Sequence, residues 1–120
     1  MGFTKNQIAA QALRVLGVLA SGQTISAEDI ETMTPIIDGT AAICEAESIC
    51  YLVQDLEADD VPAEAYLPFS TIVAKWAASS YGVGGQDLAG IQMLSDLAET
   101  TLRSFQPTGR GDQPMEAEYF

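Results

Sequence analysis

Histidine is absent from this 120-residue chain, and basic residues are few. The chain has five Lys and Arg and 17 Asp and Glu, which gives a formal net charge of −12. Without histidine, the commonest general base and the histidine ligands of zinc sites are both missing. A chain this acidic is poorly suited to binding nucleic-acid backbones or anionic lipids, because proteins bind both through Lys and Arg. The composition therefore disfavours histidine-based catalysis, zinc binding, nucleic-acid wrapping and attachment to membrane surfaces.

Cysteine and long apolar runs are also scarce. Cys44 and Cys50 lie six residues apart, so on a helix they would point about 240° apart and could not form a disulfide. Both are predicted to be small hydrophobic residues in a reducing compartment. No run approaches the roughly 20 apolar residues of a membrane span, and Gln11 and Arg14 interrupt the stretch that resembles a secretory signal. A single soluble domain made in the cytoplasm is expected.

Four segments have apolar residues at three- and four-residue spacing, which predicts four helices. The first begins at TKNQ, where Thr4 and Gln7 form a capping-box pattern. The second begins at SAED, where Ser26 is the expected cap. Because Pro35 lacks a backbone N–H, it is expected to kink or break this second helix. A short turn at residues 21–24 joins the two.

In the second half of the chain, the apolar spacing predicts two more helices, joined by a glycine-rich turn. Pro62 suits the first position of the third helix, and Pro68 favours a regular helix that begins only there. The predicted apolar stripes are Tyr66, Phe69, Val73, Trp76 and Ser80 in the third helix, and Ile91, Leu94, Ala98, Leu102 and Phe105 in the fourth. Trp76 is thus expected in the core, and Glu99 and Arg103 are expected to pair along the fourth helix.

The predicted fold class is all-α, with a four-helix domain over residues 1–106 and an extended C-terminal tail over residues 107–120. Residues 48–53 (SICYLV) are rich in β-branched and aromatic side chains, which favours a short extended segment there. The tail contains two prolines and two glycines and ends on two aromatic residues. Such polar segments do not fold alone, whereas a terminal aromatic pair can anchor to a partner. Partner binding is favoured over the alternative that the aromatics fold back onto the same domain.

Three short motifs superficially resemble ligand sites. The acidic segment at residues 55–60 lacks the glycine and the terminal glutamate of a calcium loop. The glycine-rich stretch at residues 82–90 has Asp87 where a nucleotide-binding loop needs its third glycine. The Arg-Gly-Asp tripeptide at residues 110–112 has no extracellular context. No cofactor or metal is predicted, and a carboxylate-based hydrolase remains a rival only because 17 acids always offer pairs.

The order of these features resembles the head–tail connector (adaptor) proteins of tailed bacteriophages, and most closely the adaptors of short-tailed phages. The opening TKNQIAAQALRVLGVLASGQTISAEDIETMTPIIDG is similar to that family in its first helix, which ends near the Leu-Gly-Val at residues 16–18. A short turn and a capped second helix follow, as in the family. A third helix entered through Pro62, the glycine-rich turn, the fourth helix and the tail extend the likeness along the chain.

The resemblance implies a non-enzymatic virion protein, made in the host cytoplasm, that forms a ring of twelve copies. Such a ring lies between the portal and the tail or nozzle, and DNA passes through its channel without sequence-specific binding. An acidic lumen would let DNA slide. The resemblance also implies that the C-terminal tails dock on the portal and on neighbouring copies.

On this basis the partner-binding residues are expected to be Arg110, Met115, Tyr119 and Phe120, with Arg103 a lesser candidate for pairing with an acidic neighbour. The alternative function is a small helical binding or regulatory protein that uses its C-terminal tail as a recognition peptide. Ring formation on a portal would distinguish the two functions.

Overall fold

The computed structural model describes residues 3–20, 22–47 and 61–104. Its elements are α1 (Lys5–Leu16), α2 (Ala27–Ala46), α3 (Ala63–Ala77), a 3₁₀ turn (Ala78–Tyr81) and α4 (Gly85–Ser104). The predicted all-α class with four helices is confirmed for these ranges. The predicted extended segment at residues 48–53 and the tail at residues 107–120 lie outside the described residues.

The predicted starts of the first two helices are confirmed by their capping hydrogen bonds. The backbone N–H of Gln7 donates to Thr4 Oγ1 at 3.2 Å, and the backbone N–H of Thr4 donates to Gln7 Oε1 at 2.8 Å. At α2, the N–H of Asp29 donates to Ser26 Oγ at 3.2 Å. Each bond satisfies a backbone or side-chain group that the first helical turn leaves unpaired.

Pro35 lies inside a continuous α2, so the helix does not break there. The prediction that a regular third helix begins only at Pro68 is wrong, because α3 begins at Ala63. Each proline frees the carbonyl four residues earlier, which belongs to Glu31 in α2 and to Glu64 in α3. Both glutamates are exposed, so water can bond the freed carbonyls at the outer surface of each helix. Pro62, predicted at the first helical position, is instead the N-cap of α3.

The core is built around α3, which packs against α1, α2 and α4. Phe69 of α3 is fully buried, and the other large buried side chains come from all four helices: Ile8, Leu13, Met33, Ile37, Ile72 and Leu102. Cys44 is also buried, as predicted for a small hydrophobic residue, whereas Cys50 lies outside the described residues. The amphipathic helices therefore bury one side each against a central helix that is buried on most sides.

The start of α1 is attached to α3 by a small aromatic contact. The rings of Phe3 and Tyr66 stack with their centroids 3.9 Å apart and their planes 12° apart. Phe3 also pairs with Val61 through two backbone hydrogen bonds of 2.9 and 3.0 Å. These contacts fix the entry of α3 beside the beginning of the chain.

The 3₁₀ turn is attached to α2 by one side-chain hydrogen bond. The hydroxyl of Tyr81 donates to Asp29 Oδ1 at 3.1 Å. Burial raises the pKa of Tyr81 above its usual value, and the hydrogen bond and negative charge of Asp29 raise it further. Each of these effects favours the neutral phenol in the folded chain.

Replacing Tyr81 with phenylalanine is expected to lower the free energy of unfolding by about 1 kcal/mol at neutral pH, because Asp29 loses its donor. Because the pKa of Tyr81 is higher in the folded chain than in the unfolded chain, its neutral phenol stabilises the fold at any pH below the unfolded-state pKa of about 10. This stabilisation is lost as the pH rises through the folded-state pKa. The difference between the two proteins should therefore shrink above about pH 10.

Urea unfolding between neutral pH and about pH 11 tests this expectation. Tyr66→Phe is the matched control, because its hydroxyl makes only a long bond of 3.4 Å to the carbonyl of Gln7. A Tyr81→Phe difference that stays constant across the pH range would show that the Asp29 contact does not couple to ionisation.

Candidate interaction surfaces

Helix α4 carries an exposed apolar surface. Met93, Leu94 and Leu97 are 71%, 53% and 65% exposed, and their spacing places them on one side of the helix. We call these three residues the α4 stripe. Exposed apolar side chains that cluster in this way are typical of surfaces that another molecule covers.

The surroundings of the α4 stripe resemble the rim of an interface. Gly90 and Thr101 extend the same side of the helix and carry no charge. Asp87 and Asp96 lie at its edges, and Glu99 lies on the opposite side. An uncharged centre with acids at the edge is the usual arrangement of a protein–protein contact.

The prediction that Leu94 belongs to the core is wrong. The buried line of α4 consists of Ile91, Ser95, Ala98 and Leu102. From Ile91, both Leu94 (three residues later) and Ser95 (four residues later) have helical spacing. A prediction based on apolar character alone therefore places Leu94 in the core instead of Ser95. Helix α4 packs mainly against α3, and the small side chains of Ser95 and Ala98 let the two helices approach closely. Leu94 lies outside this contact.

Ser95 is a buried polar residue within that contact. It is fully buried, and its Oγ has no hydrogen-bond partner among the described residues. In the helices Thr34, Thr40 and Ser70 instead donate their hydroxyls to the carbonyl four residues earlier. The serine is consistent with selection for small size at the α3–α4 contact.

A second surface is a shallow groove of about 300 Å³ where the end of α3 meets the start of α4. Its lining consists of Lys75, Trp76, Ala78, Ser79, Val83, Leu88 and Gln92. We call it the Lys75–Trp76 groove. Trp76 is 47% exposed, so the prediction that it lies in the core is wrong. The buried line of α3 continues from Phe69 and Val73 to Ala77, so Trp76 lies beside that line and not on it.

The charges beside the groove also differ from the predicted arrangement. The carboxylate of Glu99 lies 3.6 Å from the ammonium of Lys75, so this ion pair joins α4 to α3. Glu99 was expected to pair with Arg103 along α4. The ammonium of Lys75 also lies 4.9 Å from the centroid of the Trp76 ring, within the range of a cation–π contact.

Of the five predicted partner-binding residues, only Arg103 is described. It is exposed in the last turn of α4, where a positive charge complements the helix dipole. Arg110, Met115, Tyr119 and Phe120 lie outside the described residues, and their role stays a prediction. The α4 stripe and the half-exposed Trp76 were missed because exposure depends on which neighbour each helix packs against.

Neither a metal centre nor a membrane span is found in the described ranges. No group of three or more acidic or cysteine side chains converges there as metal ligands would. None of the helices in residues 3–20, 22–47 and 61–104 has the length and apolar character needed to cross a bilayer.

No protein-family model, curated protein or solved structure matches the chain. The α4 stripe consists of apolar side chains alone, whereas the Lys75–Trp76 groove also carries the positive charge of Lys75.

Proposed function

We propose that this chain is a structural virion protein that forms a head-to-tail adaptor ring between the portal and the tail of a bacteriophage. The observation that carries the proposal is the α4 stripe, an apolar surface on a small helical unit that is otherwise strongly acidic. The ring forms part of the channel through which DNA leaves the capsid. The protein acts by assembly and has no catalytic role.

A closed ring accounts for a stripe on one side of the unit. In a ring, one surface of each copy meets a different surface of the next copy, and rotation closes the circle. Every copy then covers the exposed leucines of its neighbour, so the α4 stripe is removed from water. The acids at the edges, Asp87 and Asp96, stay solvated at the rim of each contact.

The charge of the chain supports passage of DNA without binding. Each copy carries a formal charge of −12, and a ring multiplies that charge around its channel. Phosphates are bound when Lys and Arg displace their counterions, and the chain has only five such residues. A predominantly acidic wall therefore repels the DNA backbone and keeps the duplex free to slide.

The C-terminal tail is the proposed dock for the portal. Arg110 can pair with an acidic portal residue, and Met115, Tyr119 and Phe120 supply apolar anchors. A peptide that orders on its partner adds affinity without enlarging the contact between the folded bodies. Arg103, at the end of α4, is placed where the tail begins.

Co-sedimentation with the portal ring encoded in the same genome tests this function. The full chain is expected to sediment with the portal, and a chain truncated after Gln106 is not. Phe120→Ala in the full chain is expected to weaken this co-sedimentation, because it removes an anchor. Thr108→Ala is its matched control, because it changes the tail without removing an anchor. Equal binding by the full and truncated chains would assign the dock to the helical body. If neither chain binds, the adaptor role is rejected in favour of a small regulatory protein.

A further inference from the structure

We propose that the α4 stripe of one copy inserts into the Lys75–Trp76 groove of the next copy. In this contact Met93 packs against the ring of Trp76, and the carboxylate of Asp96 pairs with the ammonium of Lys75. The inference rests on the proposed ring, because it names the surface of the neighbouring copy that covers the stripe.

The α4 stripe and the groove lie on opposite sides of the same helix. Leu88 of α4 lines the groove, and Leu97 of the stripe follows it by nine residues, which is a rotation of about 180° around the helix. The stripe therefore cannot fill the groove of its own chain. Two unlike surfaces on opposite sides of one rigid helix let each copy contact a neighbour on either side, as a closed ring requires.

The groove has the size and the lining to receive one side chain of the stripe. Its volume of about 300 Å³ is at the lower end of ligand sites, and Val83 and Leu88 are among its apolar lining residues. Trp76 is 47% exposed and Met93, the most exposed residue of the stripe, is 71% exposed. A methionine side chain adapts to irregular gaps, and its sulfur makes favourable contacts with aromatic rings. Met93 is therefore suited to the space beside Trp76.

The charges of the two surfaces match in sign and in spacing. Asp96 is exposed one turn after Met93, so the Cβ atoms of the two residues lie about 5–6 Å apart. In the groove, the ammonium of Lys75 lies 4.9 Å from the centroid of the Trp76 ring. An apolar side chain with an acid beside it can thus meet a ring with a cation beside it. The 3.6 Å separation of Lys75 from Glu99 exceeds hydrogen-bond length, so the ammonium donors can also bond a second carboxylate.

The same charges disfavour a symmetric contact between two α4 stripes. Asp87 and Asp96 flank the stripe, so two stripes placed face to face would bring like charges together at the edges. Each chain carries a formal charge of −12, which adds to this repulsion. The groove instead brings the positive charge of Lys75 to the contact. The stripe of one acidic copy therefore has a better partner in the groove of another copy than in a second stripe.

Trp76 is the single tryptophan of the chain, so its fluorescence reports on one groove when two variants are mixed. The reporter variant is Leu97→Glu, which keeps the groove and disables the stripe. The donor variant is Trp76→Ala, which keeps the stripe and has no tryptophan. Adding the donor should protect Trp76 of the reporter from acrylamide quenching, with half of the change below about 1 mM donor in about 0.15 M salt. Trp76→Phe replaces the donor if the alanine variant does not fold, because the groove that is measured belongs to the reporter.

Further substitutions in the donor locate the contact. Met93→Ala should raise the donor concentration for half protection by about tenfold, because the buried thioether is lost. Asp96→Asn should raise it by about threefold, because the pair with Lys75 is lost. Asp87→Asn makes the same change at the other edge of the stripe and should leave it unchanged. A donor that also carries Leu97→Glu should give no protection.

The outcomes separate this contact from the adaptor role. No protection up to about 1 mM donor, or equal protection by the donor without a stripe, would overturn the proposal. Equal effects of Asp87→Asn and Asp96→Asn would overturn the pairing with Lys75. A ring that assembles on the portal from chains that show no such protection would reject the groove as the partner of the stripe and keep the adaptor role. Protection without portal binding would reject only the adaptor role.

Discussion

Replacing Leu97 with glutamate is expected to weaken lateral assembly of copies on the portal by more than about a hundredfold, because the contact would bury an unpaired carboxylate. Leu97 is 65% exposed in the isolated chain, so the substitution removes little packing within the fold. The free energy of unfolding should therefore change by less than about 0.5 kcal/mol. The loss would be specific to assembly, and sedimentation velocity of portal mixtures measures it.

Leu67→Glu is the matched control for this substitution. Leu67 is 56% exposed on α3, and the variant makes the same change of size and charge outside the α4 stripe. Assembly should survive in the control if the stripe is the contact. Equal loss in both variants would point instead to repulsion between copies that are already strongly acidic.

Truncating Phe69 to alanine is expected to lower the free energy of unfolding by about 3–5 kcal/mol, the largest effect of any single substitution proposed for this fold. The side chain is fully buried in the central helix, between the layers formed by the other three. Alanine would leave a cavity that close-packed neighbours fill only in part. Chemical denaturation at neutral pH measures the difference.

Leu67→Ala, two residues away on the exposed side of α3, is the control for Phe69→Ala. It should cost less than about 1 kcal/mol, because most of its surface is already in water. A Phe69→Ala cost below about 1 kcal/mol would contradict the central position of α3 in the core.

The parts of the fold that the sequence predicts well are those set by local hydrogen bonds. The caps at Thr4 and Ser26 need only a side-chain oxygen within reach of N–H groups two or three residues later. Such capping bonds join residues that are three apart in sequence, so they depend little on how the helices pack against one another. The apolar spacing predicts four helices, and the described residues contain four α-helices, although α3 begins before Pro68.

Whether a helix continues through a proline depends on the environment of another residue. The carbonyls freed by Pro35 and Pro68 belong to Glu31 and Glu64, which face solvent. Water can bond such exposed carbonyls, which lowers the cost of continuing the helix through the proline. Spacing alone cannot show which side of a helix will face solvent.

The two surfaces depend on the neighbours of each helix, which no local pattern reveals. Ser95 is buried and Leu94 is exposed because α3 lies close to the side of α4 that carries small residues. Trp76 is half-exposed because the buried line of α3 runs from Val73 to Ala77 and leaves its neighbour Trp76 at the surface. The tail that the sequence singles out lies beyond the described residues, and its partners await the binding experiments.

Electron cryo-microscopy of the portal ring incubated with the full chain tests the proposed function most directly. The adaptor role predicts a closed ring of twelve copies beneath the portal, with Met93, Leu94 and Leu97 covered where neighbouring copies meet. A portal without added density would contradict the role itself. A ring in which the α4 stripe faces solvent would contradict the contact on which the proposal depends.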